Sequence, residues 1–178
     1  MLVSQSAYSE NSAISLALEI SGFTLLCFAS LGRTWASAFI SGKKDASLTI
    51  DGPYSIVRNP LYFFSFLGFI GAGLAFESII TTFVFVVIFF LTHWSTILSE
   101  EKKLMGIFGE SYKQYINNVP RFIPKLQLLK NPNTVSFSPK IFTRSLFESS
   151  LILFVYPIAQ IIEWLHIHAI LPVYFTLF

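Results

Sequence analysis

Four apolar stretches limit what this chain can fold into. A helix crossing the hydrocarbon core of a bilayer needs roughly 20 mostly apolar residues, with about 17 as the lower limit. Residues 13–31, 60–76, 78–98 and 146–162 answer to that requirement. Pro157 in the last of them predicts a kink, because proline has no N–H to give the preceding turn. A further apolar stretch, 169–178, is short, and reads as a half-span returning into the bilayer or as a tight fifth helix. Only 12% of the 178 residues are charged and the mean hydropathy is +0.63, whereas a soluble domain carries about 25% charge. The predicted fold class is therefore all-α: a polytopic membrane helical bundle, residues 1–178 forming one domain with four to five transmembrane helices.

Other classes fall away quickly. The single cysteine, Cys27, rules out a disulfide framework within the chain. It sits in an apolar run with no basic neighbour in sequence, as a packed small hydrophobe does. Residues 1–12 hold no Lys or Arg, and the apolar run that follows contains Glu19, so the N-terminal region reads as a retained span rather than a secretory signal. No nucleic-acid partner is expected.

The cations orient the spans. All twelve fall in two regions: Arg33, Lys43, Lys44 and Arg58 before the second span, and eight from Lys102 to Arg144 after the third. Both regions then lie on one face, which the positive-inside rule makes cytoplasmic. The N-terminus, the turn at Glu77 and the segment around Glu163, His166 and His168 face the other side. Glu163, His166 and His168 are metal-ligand types, but no fourth ligand is evident and they read as polar residues at the far membrane face. Between Glu100 and Val119, Leu104, Phe108, Tyr112 and Tyr115 recur at helical spacing, which predicts a helix running from the third span along the interface. Residues 125–144 read as a linker rich in Pro, Asn and Ser.

Spans two and three are joined so tightly that they must form an antiparallel hairpin. Folding back at Glu77 and Ser78 sets Tyr62 level with His93 and brings Arg58 within about two turns of Glu100. His93, Ile97, Glu100 and Glu101 follow a helical repeat, so His93 and at least one glutamate share a face. At the mouth of the hairpin, Asn59 is an N-cap type and Pro60 suits the first helical position. The free N–H groups and the dipole of that helix end, with Arg58 beside them, make an anion site. Simpler readings stand beside these: Arg58 snorkelling to headgroups, Glu100-Glu101 as a solvated charge run, and His93 as a packed, hydrogen-bonded histidine. An ionisable group inside a span nevertheless lines a cavity or meets a partner as a rule.

In this order, Gly52-Pro53-Tyr54, Arg58-Asn59-Pro60-Leu61-Tyr62, Glu100-Glu101, Leu104, Phe108-Gly109, Tyr112, Tyr115 and Val119-Pro120 resemble the isoprenylcysteine carboxyl methyltransferase and phospholipid methyltransferase superfamily. The resemblance covers about residues 31–124. Asn59 departs from the family's usual histidine; it keeps the cap and cannot carry a proton. Phe64 stands where a glycine often follows the tyrosine and is expected to narrow the site, with Gly68, Gly71 and Gly73 left to allow close helix contact.

The resemblance implies an integral membrane methyltransferase that uses S-adenosylmethionine, with residues 100–124 forming the cytoplasmic cofactor segment. Tyr54, Arg58, Asn59, Tyr62, His93, Glu100 and Glu101 are then the cofactor-binding candidates, and Arg58, His93 and Glu101 the catalytic ones; no metal is implied. The expected partners are membrane lipids and a lipophilic or small acceptor: a prenylcysteine carboxylate, a lipid amine or a thiol. Two other readings remain: a nicotinamide-dependent membrane reductase of related architecture, or a non-enzymatic membrane interaction protein.

Overall fold

Helix formation dominates, as the apolar runs require. The computed structural model describes residues 4–6, 13–42, 47–171 and 175–177. Among these, α1 spans Ala13–Ile40, α2 Pro53–Ile56, α3 Pro60–Ala75, α4 Ile79–Asn118, α5 Pro139–Ser150 and α6 Val155–Ile167. The fold is all-α; the exception is a pairing of three-residue strands, β1 (Ser4–Ser6) in parallel with β2 (Phe175–Leu177). Lys43 and Lys44, and residues 172–174 and 178 of the short apolar stretch, lie outside the described residues.

Among the described residues, three helical stretches are long and apolar enough to cross a membrane: α1 with 28 residues, α4 with 40, and Pro139–Ile167 with 29. The chain is an integral membrane protein. α3 is the short one: its 16 residues extend about 24 Å at 1.5 Å each, against a hydrocarbon core of about 30 Å. Only 11% of the most apolar window of α4 is buried, and Phe83 and Leu91 stand open on its surface, as side chains facing lipid tails do.

Breaks in the helices have local causes. Gly109 interrupts α4 with φ 50° and ψ −122°, a conformation that glycine adopts without a Cβ penalty. Pro157 lies in the first turn of α6, directly after a 3₁₀ segment over Leu151–Phe154; its missing N–H leaves the Leu153 carbonyl without its usual helical donor. α5 begins inside the stretch read as a linker, because Ser138 and Pro139 supply a cap type and a first-position proline, and the Phe142 N–H donates to the Ser138 carbonyl.

The chain divides into two compact units. The first comprises Met1–Ser30, Phe66–Phe90 and Ser150–Phe178. Its core gathers Leu26, Ala72, Ala75 and Ala159, with Phe76, Phe85, Leu153 and Tyr156 packed around them. α1 and α3 approach closely there: a Cβ on Gly71 would stand 2.9 Å from the Gly22 carbonyl and from the Leu26 nitrogen. Glu77, with φ 51°, is buried in the reverse turn and accepts a hydrogen bond from Ser15.

The second unit comprises Leu31–Ser65 and Leu91–Ser149. It has two apolar clusters, one of Ala36, Phe39 and Tyr54, the other of Tyr112, Tyr115 and Val119 with Leu48, Leu104 and Phe108 against it. The Phe64 ring lies over Gly32, where a Cβ would clash with it, and meets Trp35 at 6.4 Å between centroids. Phe64 is thus seated on α1 by the absence of a side chain at Gly32.

Candidate active site

The second unit assembles most of the chemistry-bearing residues. Gly52 turns the chain with φ 58°, and the Phe39 ring occupies the place of its missing Cβ. Pro53 then opens the single buried turn α2, and Val57 returns to extended backbone. The segment is held from behind by residues 119–130. The Arg58 N–H donates to the Pro120 carbonyl at 2.8 Å, the Lys125 N–H to the Ile56 carbonyl at 2.9 Å, and the Gly52 N–H to the Lys130 carbonyl at 2.7 Å. The Lys130 N–H donates in turn to Ser55 Oγ at 2.9 Å. These bonds act as a strap across α2 and fix the backbone from which Tyr54 and Arg58 project.

Glu101 is the hub of this region. Its buried carboxylate pairs with Arg58 Nη1 at 3.2 Å and with Arg121, whose Nε and Nη2 both lie 3.0 Å from Oε2. Asn59 Nδ2 donates to Glu101 Oε1 at 2.9 Å and to the Arg121 carbonyl at 3.1 Å. A carboxylate has about four lone-pair sites, and here two guanidinium groups and an amide converge on it.

Beside this network lies a cavity of about 230 Å³, lined among others by Thr49, Tyr54, Arg58, Glu100, Lys103 and Tyr115. Three of its lining residues present buried polar atoms without a hydrogen-bond partner: Thr49 Oγ1, Tyr54 Oη and Arg58 Nε. Buried polar atoms are paired in the great majority of cases, and these three beside the hollow are exceptions. Tyr115 Oη donates to the Tyr54 carbonyl at 2.7 Å, which holds Tyr54 against the cavity wall.

Tyr62 and His93 stand level on α3 and α4, with ring centroids 5.9 Å apart and nearly perpendicular planes. Glu100 lies near enough to Tyr62 to act on its phenol, while Thr92 Oγ1 lies 2.7 Å from His93 Nδ1. Of the seven candidate residues, Tyr54, Arg58 and Glu100 line the cavity. Glu101 and Asn59 form the network behind it, Tyr62 lies within reach of Glu100's charge, and His93 meets Tyr62 ring to ring. Thr49, Lys103 and Arg121 joined the site without a sequence signal of their own: Thr49 comes from a loop without periodicity, and Arg121 was one of eight cations after the third span.

Burial, with Tyr115 and Glu100 nearby, raises the Tyr54 phenol above its ordinary value. Burial, reinforced by Glu101 and opposed by Arg58 and Arg121, pushes Tyr112 up to about 12. Both phenols are neutral donors at physiological pH. A phenol raised above its unfolded value of about 10 contributes stability that is fully present below that pH and is lost as pH rises through the folded value. The thermal midpoint is expected to hold up to about pH 10 and to fall by pH 12, in step with phenolate absorbance. Titration of all seven tyrosines near pH 10 with the fold intact would contradict this.

The phospholipid methyltransferase family model matches residues 12–111, a region that includes both the Gly52–Tyr62 segment and the Glu100-Glu101 pair. The class is thus that of membrane methyltransferases. The chain belongs to the phospholipid methyltransferase family. It is 32% identical over 165 residues to the nickel-cobalt-cadmium resistance protein NccN of Alcaligenes xylosoxydans xylosoxydans, covering 89% of this chain and 77% of that protein. It is 34% identical over 138 residues to the cobalt-zinc-cadmium resistance protein CzcN of Cupriavidus metallidurans, covering 78% of this chain and 62% of that protein. A third relative, protein-S-isoprenylcysteine O-methyltransferase of Schizosaccharomyces pombe, is 35% identical over 81 residues, 46% of this chain and 34% of its own. No solved structure matches the chain.

Proposed function

We propose that the protein transfers a methyl group from S-adenosylmethionine to a lipophilic or small acceptor at the cytoplasmic rim of the membrane. The observation that carries this reading is the trio of unpartnered buried polar atoms, Thr49 Oγ1, Tyr54 Oη and Arg58 Nε, around a cavity that also holds Glu100. That donor set fits the cofactor's amino-acid and ribose ends. Arg58 would hold its carboxylate, Glu100 its amine or ribose hydroxyls, and an aromatic face such as Tyr54 or Tyr115 its sulfonium. When bound, the cofactor supplies an electrophilic methyl group.

The remaining work belongs to the chain. Glu101 fixes Arg58, and the strap fixes the backbone behind it, so the anion-binding group is positioned before any ligand arrives. Asn59 cannot relay a proton, which leaves His93 as the base when the acceptor is an ammonium that must first lose one. An ionised carboxylate or thiolate acceptor needs no base. The clustering of cations on one side supports a cytoplasmic mouth. The names of the two bacterial relatives add a setting to the proposal: a methylated product that serves resistance to transition-metal ions.

Calorimetry of the detergent-solubilised protein tests the reading. S-adenosylhomocysteine is expected to bind with micromolar affinity and NADPH to give no heat. Heat from NADPH alone would favour the reductase, and heat from neither would favour a non-enzymatic membrane protein.

A further inference from the structure

The strap across α2 offers more than backbone partners. Between Glu110 and Glu148 the sequence has no carboxylate, while six cations fall there: Lys113, Arg121, Lys125, Lys130, Lys140 and Arg144. Arg121 is taken up by Glu101. Lys125 and Lys130 flank the 3₁₀ turn Leu126–Leu128, are exposed, and pair with no carboxylate among the described residues. Between the two lysines the apolar side chains divide. Leu128 lines a hollow shared with Tyr115 and Val119. Leu126 stands 73% exposed and Leu129 44%, and Ile123 just ahead of them is 77% exposed. Residues three apart eclipse on a 3₁₀ turn, which sets Leu126 and Leu129 on one side.

Phe122 sets the depth at which this segment lies. Its ring meets Trp94 of α4 at 6.3 Å and Phe63 of α3 at 6.0 Å between centroids. Trp94 belongs to the apolar stretch 78–98 and is partly exposed near its end, where an indole commonly marks the membrane–water boundary. Ile123, the next residue after Phe122, therefore emerges beside a helix that sits in the bilayer. Exposed apolar side chains bracketed by cations are the composition of a contact with an anionic lipid surface.

We propose that residues 122–130 form a lipid-docking edge. Ile123, Leu126 and Leu129 enter the interface of the leaflet on the side of the clustered cations, and Lys125 and Lys130 hold its anionic headgroups. Apolar burial and attraction to anionic lipid add in such a contact. The partner is the surrounding bilayer rather than a second copy or a soluble protein, because Phe122 hangs the segment on helices of the membrane hairpin. The same residues bond α2: the Lys125 N–H donates to the Ile56 carbonyl, and the Lys130 carbonyl accepts from the Gly52 N–H. Anionic lipid thereby steadies the backbone that carries Tyr54 and Arg58. Docking of this kind does not depend on methyl transfer.

Amide hydrogen exchange of the full chain in lipid nanodiscs, one copy per disc, tests this. Discs of phosphatidylcholine alone are compared with discs of an equal mixture of phosphatidylcholine and phosphatidylglycerol. Peptides covering residues 50–59 and 122–131 should exchange roughly tenfold more slowly in the anionic discs. High salt should remove much of that difference. Lys125→Gln combined with Lys130→Gln should abolish it, and Leu126→Ser combined with Leu129→Ser should reduce it. Both double variants change exposed side chains and keep the backbone donors of the strap. Equal exchange of the wild-type protein in the two kinds of disc overturns the proposal and leaves this face to a soluble partner. A slowing that persists in the lysine variant also overturns it, since that marks a general surface effect. So does a slowing seen only with two copies per disc, which marks an interface between copies.

Discussion

Glu101→Ala is expected to lower the thermal midpoint of the solubilised protein by about 6–20 °C, the largest stability loss of any single substitution in this region. Removing one member of a buried ion pair costs about 3–5 kcal/mol, because the partner is left buried and uncompensated. In a chain of this size each kcal/mol moves the midpoint by about 2–4 °C. The Arg58 side chain is 13% exposed and loses its carboxylate, and the amide of Asn59 loses its Glu101 acceptor. Arg121 is 40% exposed, so solvent screens its share and the lower half of the range is the better expectation. Scanning fluorimetry in detergent reads the shift. A change under about 2 °C would return the Glu100-Glu101 pair to the status of a solvated charge run.

Arg58→Gln and Glu100→Gln are expected to remove cofactor binding by different routes. Charge-assisted hydrogen bonds contribute about 1.5–3 kcal/mol, so each variant should lose roughly tenfold to a hundredfold in affinity for S-adenosylhomocysteine. Arg58→Gln should also lose thermal stability, since Arg58 serves Glu101 as well as the cavity. Glu100→Gln should leave the midpoint in place, because Glu100 faces the cavity and Tyr62 rather than the buried network. Calorimetry and fluorimetry on the same preparations separate the two effects. Unchanged affinity in both variants would place the cofactor elsewhere.

The legible and illegible parts of this molecule differ in range along the chain. Tyr62 and His93 could be set level from sequence because a tight turn and two regular helices leave one register open, and their rings do meet. Arg58 and the glutamates could be gathered for the same reason. Which glutamate would turn inward was not legible: adjacent residues on a helix differ by about 100° in direction, and both fall near the same face. The structure gives Glu101 to the arginines and Glu100 to the cavity. Residues 119–130 carry no helical or strand period, so nothing local announced that their backbone would pair with α2. Thr49 was hidden likewise, since a loop residue reaches a cavity by tertiary placement alone.

The strap has a consequence for biogenesis. Residues 52–59 leave the ribosome long before residues 119–130, with the whole of α3 and α4 made in between. Until the later segment arrives, the N–H groups of Gly52 and Arg58 lack their partners from Pro120 and Lys130, and Glu101 lacks Arg121. The second unit therefore stays open until residues 119–130 are made, and a chain cut short before Val119 would display raw charge where the finished one keeps it covered.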